Sequence, residues 1–195
     1  MRFDITQYMK TAELLIDRLE NTHHRAILEN YRMHGFLELS GRHDEIFDPV
    51  LTVEHPVYRV MSPESGYQVF DGSLAVRDKF YGPMAEMEAT VFTKEQEHLA
   101  VADWGLSQEQ VIHNYMSGRT AVAKGYEVDD LDANFVEDRW LSAHWEYTSD
   151  ARLVGEHLYW SAPTAFSQVP AEEFLSMQEV RDRLAPIIAA GPHRK

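Results

Sequence analysis

The stretch Val50-Leu-Thr-Val-Glu-His-Pro-Val-Tyr-Arg-Val60 decides the fold, because the hydrophobic period changes there. Leu51, Val53, His55, Val57 and Arg59 share one face of an extended chain, and Thr52, Glu54, Pro56, Tyr58 and Val60 share the other. Pro56 cannot donate a ladder hydrogen bond, so the segment reads as an edge strand. Upstream the period is helical. Tyr8, Ala12, Leu15, Ile16 and Leu19 form one stripe. A second helix is expected from Thr22, capped by Asn21 or Thr22, carrying Ile27, Leu28, Tyr31, Phe36 and Leu39 and ended by a left-handed Gly41. One or two further turns fit His43–Phe47.

Downstream, Ser62-Pro63 through Gly66 is a turn, Asp71 is a cap for a third helix, and Gly82-Pro83 should kink or end that helix. His98–Trp104, Arg139–Thr148 and Arg152–Trp160 are rich in aromatic and β-branched residues and read as strands, the last two joined by a hairpin. Residues 107–116 fit either a helix, through the capping box Ser107-Gln-Glu-Gln110, or a strand. Ser176-Met-Gln-Glu179 caps a last helix, with Val180, Leu184, Ile187 and Ile188 on one stripe and Pro186 inside it. Helices first, then a strand, a helix and a run of strands is an α+β order.

The chain has 195 residues, 44% of them hydrophobic, enough for one domain with a substantial core. With 32 Asp and Glu against 18 Lys and Arg the net charge is −14, which disfavours nucleic acid and anionic membranes as partners. The absence of Cys removes disulfides, thiolate metal sites and a cysteine nucleophile. No apolar run approaches a membrane span and Met1–Lys10 is no secretory signal, so a cytoplasmic protein is expected. No His-x-His, His-Glu-x-x-His, Gly-x-Ser-x-Gly or Gly-rich phosphate loop is present, so neither a metal nor a cofactor is expected.

Between Thr22 and Pro163 the chain resembles the SnoaL-like branch of the nuclear transport factor 2-like superfamily. The likeness rests on His24-Arg-Ala-Ile-Leu-Glu-Asn-Tyr31, Thr52-Val-Glu-His-Pro-Val-Tyr58, Asp71-Gly-Ser-Leu-Ala-Val-Arg77, Ala143-His-Trp-Glu-Tyr147 and Leu153-Val-Gly-Glu-His-Leu-Tyr159. It implies a cone-shaped, polyketide cyclase-like α+β barrel with a small-molecule pocket at its open end, and commonly a homodimer. The expected layout is an N-terminal helical extension over 1–21, the barrel over 22–163 and a C-terminal helical tail over 164–195.

Three His/acid pairs lie on expected strands: Glu54-His55, His144-x-Glu146 and Glu156-His157. Strand neighbours point to opposite faces, so only His144 and Glu146 share one. SnoaL-like cyclases place an acid/base aspartate four residues after the tryptophan of the hairpin strand. Here that position is Ser149 and the acid is Asp150, an offset that a bulge could absorb. Their strand histidine has a looser counterpart in His113, if 107–116 is a strand. Tyr31, Trp104 and Trp145 are candidate ligand-contact residues.

Together these features suggest an enzyme of the cofactor-free cyclase, dehydratase or isomerase type, acting by acid/base chemistry on an apolar carbonyl compound. The expected roles are His113 as base, Glu146 or Asp150 as its orienting acid and Tyr58 as oxyanion donor. The competing reading is a non-catalytic ligand-binding or dimerisation module on the same fold. The acidic run in 125–139 reads as a solvated loop. A homodimer is expected through the outer sheet face, with Trp140 and Trp160 on it.

Overall fold

The structure is a computed structural model that describes residues 2–86 and 91–193. Asp4 caps a 3-10 turn, Ile5–Gln7, ahead of α1 (Lys10–Arg18). The Asn21 side chain accepts from the backbone N–H groups of His23 and His24, which starts α2 (Thr22–Leu39). Gly41 adopts φ 68°, and the N–H of Arg42 closes back on the Leu37 carbonyl at 2.9 Å, so α2 ends as expected before α3 (His43–Ile46).

Strands β1 (Thr52–Ser62) and β2 (Gly66–Asp71) form a hairpin. A helical segment follows: α4 (Ser73–Ala75), a π-helical turn (Val76–Tyr81) and α5 (Gly82–Glu86). Then come β3 (Val91–Ala102), β4 (Gly105–Ser117), α6 (Gly118–Ala123), β5 (Asn134–Tyr147), β6 (Leu153–Trp160), β7 (Ala165–Val169) and α7 (Met177–Ala190).

The strands make one curved, unclosed sheet in the order β2-β1-β6-β5-β4-β3, antiparallel except for the parallel β1–β6 pair. Its curvature has a visible source in β5. The second half of β5 pairs with β6 and the first half with β7, so one long strand serves two neighbours that diverge. Helix α2 lies in the concavity, with Ile27, Leu28 and Phe36 fully buried.

Several local expectations are corrected. β1 is not an edge strand. Pro56 falls within a register shift between Thr52 and Val57, and pairing on both sides resumes at Val57, so the missing N–H disrupts no ladder. Gly72, not Asp71, caps α4, and residues 66–71, not read as a strand, form β2, which pairs on one side only. Gly82-Pro83 neither ends nor breaks the helical segment but marks where the π-turn becomes α-helix. Residues 107–116 are strand throughout; their ladder pairing with β3 on one side and β5 on the other outweighs the capping-box pattern. The acidic run is only partly loop, since 134–139 belongs to β5 and Glu137 is fully buried. Trp160 faces inward with Leu158 and Glu156, whereas Trp140 and Tyr159 stay exposed. The terminal helices share the core, with Ile5, Met9, Ile16, Val180 and Leu184 packed in the same cluster as the sheet.

Candidate functional site

Between α2 and the concave face lies a cavity of about 630 Å³. Strand parity determines its walls: Gln108, Gln110, Ile112 and Asn114 face it from β4, Arg139, Leu141 and Trp145 from β5, and Glu156, Leu158 and Trp160 from β6. Helix α2 contributes Tyr31, Gly35 and Glu38, and the N-terminal segment adds Tyr8 and Met9.

The deep end is polar, and its groups come from four elements. His34 of α2 places Nε2 3.1 Å from the Tyr81 hydroxyl and 3.3 Å from Oε1 of Glu156 on β6. Tyr58 of β1 stands beside Glu156 and Tyr81, fully buried and behind the cavity wall. The Trp145 ring meets His34 edge-on at 4.7 Å and Tyr31 at 5.1 Å. Two further buried polar atoms in this corner, Trp145 Nε1 and Tyr147 Oη, lack a hydrogen-bond partner among the described residues. Such atoms are costly, and their concentration marks the corner as more than packing.

Desolvation sets the protonation states. Burial, assisted by the Glu38 carboxyl, pushes Glu156 well above the usual carboxylate range and so favours its neutral form. Burial also raises Glu38 to about 7, against the opposing pull of the Lys94 ammonium. Unlike Glu156, which is 1% exposed, Glu38 remains half-buried because its carboxyl opens onto the cavity. His34 is pushed down to about 3, first by burial and then by His43, so its imidazole is neutral.

A second buried network flanks the floor. A bulge between Glu95 and His98, with Gln96 at φ 52°, turns both Lys94 and Glu97 inward. Lys94 Nζ donates to Glu97 at 2.7 Å and to the Tyr31 hydroxyl at 3.2 Å, while the single Tyr31 O–H, within reach of both Glu97 and Gln108, donates to one of them. The Lys94–Glu97 pair is internally compensated and fixes the Tyr31 ring in the wall.

The expected site residues divide between the two sheet faces. Tyr31 and Trp145 line the cavity, and Tyr58 supports its floor. His113 does not converge with them. It lies on the opposite face of β4 from Ile112 and Asn114, with Nδ1 2.7 Å from Asp138 and Nε2 3.6 Å from Glu95. Glu146 is on the outer face, 3.7 Å from His157 Nε2. A bulge does occur at Glu146/Tyr147, but it does not bring Asp150 inward: that carboxylate stays exposed in the hairpin turn, accepting from Thr148 and Arg152. Trp104 sits in the β3–β4 turn and is 49% exposed.

The overlooked residues carry a legible signal. Ile27, Tyr31, His34 and Glu38 follow steps of four, three and four, so an imidazole and a carboxyl share the inward stripe of α2. Glu156 likewise shares an inward parity with Leu158 and Trp160.

Comparison with solved structures gives the same architecture. Hexachlorocyclohexane dehydrochlorinase LinA-type3 from Novosphingobium barchaimii is matched over 85% of this chain and 98% of that one, with TM-score 0.50 and 9% identity. A putative polyketide cyclase from Xanthomonas campestris pv. campestris is matched over 84% and 99%, with TM-score 0.45 and 12% identity. A nuclear transport factor 2-like superfamily protein from Salmonella enterica serovar Typhimurium is matched over 80% and 95%, with TM-score 0.44 and 15% identity. No family model matches the chain, and no curated protein matches it in sequence. At these identities the likeness shows the fold alone, a curved sheet wrapped around helices as in the dehydrochlorinase. Among the described residues no helix is long and apolar enough to cross a membrane.

Proposed function

We propose that the protein is an acid/base enzyme acting on a small, largely apolar carbonyl compound held in this cavity, of the isomerase, cyclase or dehydratase type. The observation that carries the reading is that two acids, Glu38 on α2 and Glu156 on β6, line one cavity whose walls withdraw them from water, with desolvation raising Glu38 to about 7 and Glu156 well above the usual carboxylate range. A base works best with a proton affinity near ambient pH, and a buried neutral carboxylic acid can donate to a developing oxyanion. In the proposed step the Glu38 carboxylate removes a proton α to the carbonyl, and the Glu156 O–H is transferred to the carbonyl oxygen, giving an enol. Returning the enol proton to Glu156 while Glu38 reprotonates carbon at the same or a conjugated position restores both groups. His34, Tyr58 and Tyr81 hold Glu156 in place, and none of these steps requires a cofactor.

The test is α-proton exchange in D2O, followed by proton NMR on a panel of cyclic enones and β-diketones. The native protein should accelerate exchange for at least one member, and Glu38→Gln should lower that rate about 10²-fold or more. Saturable cavity binding without any exchange across the panel would favour the non-catalytic binding module.

The outer sheet face supports a second proposal, on assembly. Met61, Tyr67, Val69, Trp140 and Tyr159 are exposed on or beside adjoining strands, and Arg59 with His157 lies near Glu146, giving apolar area next to groups of both signs. A second copy of the chain can satisfy such a face by twofold pairing. Light scattering at micromolar concentration should give twice the chain mass, and Tyr159→Glu should give the monomer.

A further inference from the structure

The wall of the cavity away from the acid floor holds a charge arrangement that the acid/base reading does not use. Arg139 of β5 lines the cavity and its side chain is only 11% exposed. Its Nε donates to Oε1 of Glu137 at 2.8 Å, and the same oxygen receives Lys124 Nζ at 2.9 Å. Glu137 also accepts from Tyr126 and from Asn114, so this fully buried carboxylate is saturated with donors and held low, at about 2. Arg139 Nη2 also reaches Glu137 Oε2 at 3.3 Å and Nη1 the Ser161 carbonyl at 3.4 Å, so two cations, the nearly buried Arg139 and the quarter-exposed Lys124, share one buried carboxylate. A second countercharge for Arg139 comes from outside the sheet strands. Glu64, in the turn between β1 and β2, places Oε1 2.7 Å from Arg139 Nη2 while its own side chain is 52% exposed. A surface glutamate reaching from a hairpin turn to a nearly buried guanidinium occupies the position that an anionic ligand group would take.

We propose that Arg139, with Lys124 beside it, anchors a carboxylate of the ligand, and that Glu64 covers this anchor until the ligand displaces it. The ligand class is then a carboxylic acid with an apolar body, its acid group at Arg139. Glu156 is in register with Trp145, six residues along β5 from Arg139, roughly 20 Å of strand, so the anchor and the acid floor stand at opposite ends of the one cavity. Guanidinium is suited to this task because its planar donors match a carboxylate. The inference rests on the cavity being a ligand site and not on the acid/base step.

Calorimetric titration with naphthalene-2-acetate and its neutral analogue naphthalene-2-acetamide tests it. The acetate should bind about 10-fold or more tighter than the amide to the native protein, the gain expected of a charge-assisted hydrogen bond. Glu64→Gln removes the competitor and should tighten the acetate about 5- to 10-fold, leaving the amide unchanged. Arg139→Gln, checked for folding by circular dichroism, should abolish the discrimination. Equal binding of acid and amide, binding of neither, or a Glu64→Gln variant that binds the acetate no more tightly would overturn the proposal. Retained discrimination without α-proton exchange would remove the acid/base reading alone, and exchange without discrimination would remove the carboxylate anchor alone.

Discussion

The concave and convex faces of the sheet carry similar residue types with opposite consequences. On the convex face His113 pairs with Asp138 and Glu95, His144 with Ser107, and His157 lies near Arg59 and Glu146, all within reach of solvent. On the concave face His34 and Glu156 are cut off from bulk water and Glu38 is half-buried at the cavity wall, and each is displaced in proton affinity by more than its neighbours compensate. Glu156 and His157 are adjacent in the chain yet belong to different environments, because a strand turns successive side chains to opposite faces. A His/acid pair is therefore not a site by composition. Enclosure converts it into one by removing the water that would otherwise fix both groups at ordinary values.

The sharpest way to break this comparison is to cut one group from each face. Glu38→Gln should abolish most of the α-proton exchange while His113→Ala leaves the rate within about twofold and stability within about 1 kcal/mol, the range of a partly exposed ion pair. Equal losses from both variants would erase the distinction.

A second test concerns how Glu156 is held. A Cβ at Gly155 would lie 2.0 Å from the Val57 carbonyl oxygen, so the parallel β1–β6 pair runs too close there for any side chain. Gly155→Ala should cost about 3 kcal/mol or more in urea denaturation. A near-neutral result would mean that the spacing between Tyr58 and Glu156 is adjustable, weakening the argument from preorganisation.

Smaller but diagnostic is the pH dependence of stability. The folded state raises Glu38 from 4.5 to about 7, so between those values it binds more protons than the unfolded chain, and this contribution is lost as pH rises. His34 acts the other way: lowered from 6.5 to about 3, it stays neutral where the unfolded chain is protonated, and its contribution is lost as pH falls from 6.5 toward 3. Glu38→Gln should therefore raise the melting temperature by a few degrees at pH 8 and by less at pH 4.5, at the cost of activity. A variant less stable than the native protein at pH 8 would show that the ionised Glu38 is structurally supported.

The sequence made the α+β order and the helix caps legible because these depend on local spacing. Asn21, Gly41 and Ser176 act at the expected helix ends. Residues 107–116 were ambiguous because their apolar positions fit both periods, and only pairing on two sides selects strand. Of the site, the cavity roles of Tyr31 and Trp145 were accessible from residue type. Glu38 is not marked by the sequence and Glu156 is set aside with His157, because an acid on an apolar stripe becomes informative only once that stripe is known to face an enclosed space. The placement of His113 turned on a single step of parity in β4, which no family likeness fixes without the register.

The most direct measurement is carboxyl-carbon NMR of the protein labelled with ¹³C at the glutamate side chains, titrated from pH 4 to 9. One glutamate resonance should titrate near pH 7, vanish in Glu38→Gln and shift on addition of a cavity ligand. A second, belonging to Glu156, should remain protonated well above the ordinary glutamate range. If no glutamate instead titrates above the ordinary range, the floor of the cavity is not desolvated and the proposed acid/base pair is not there.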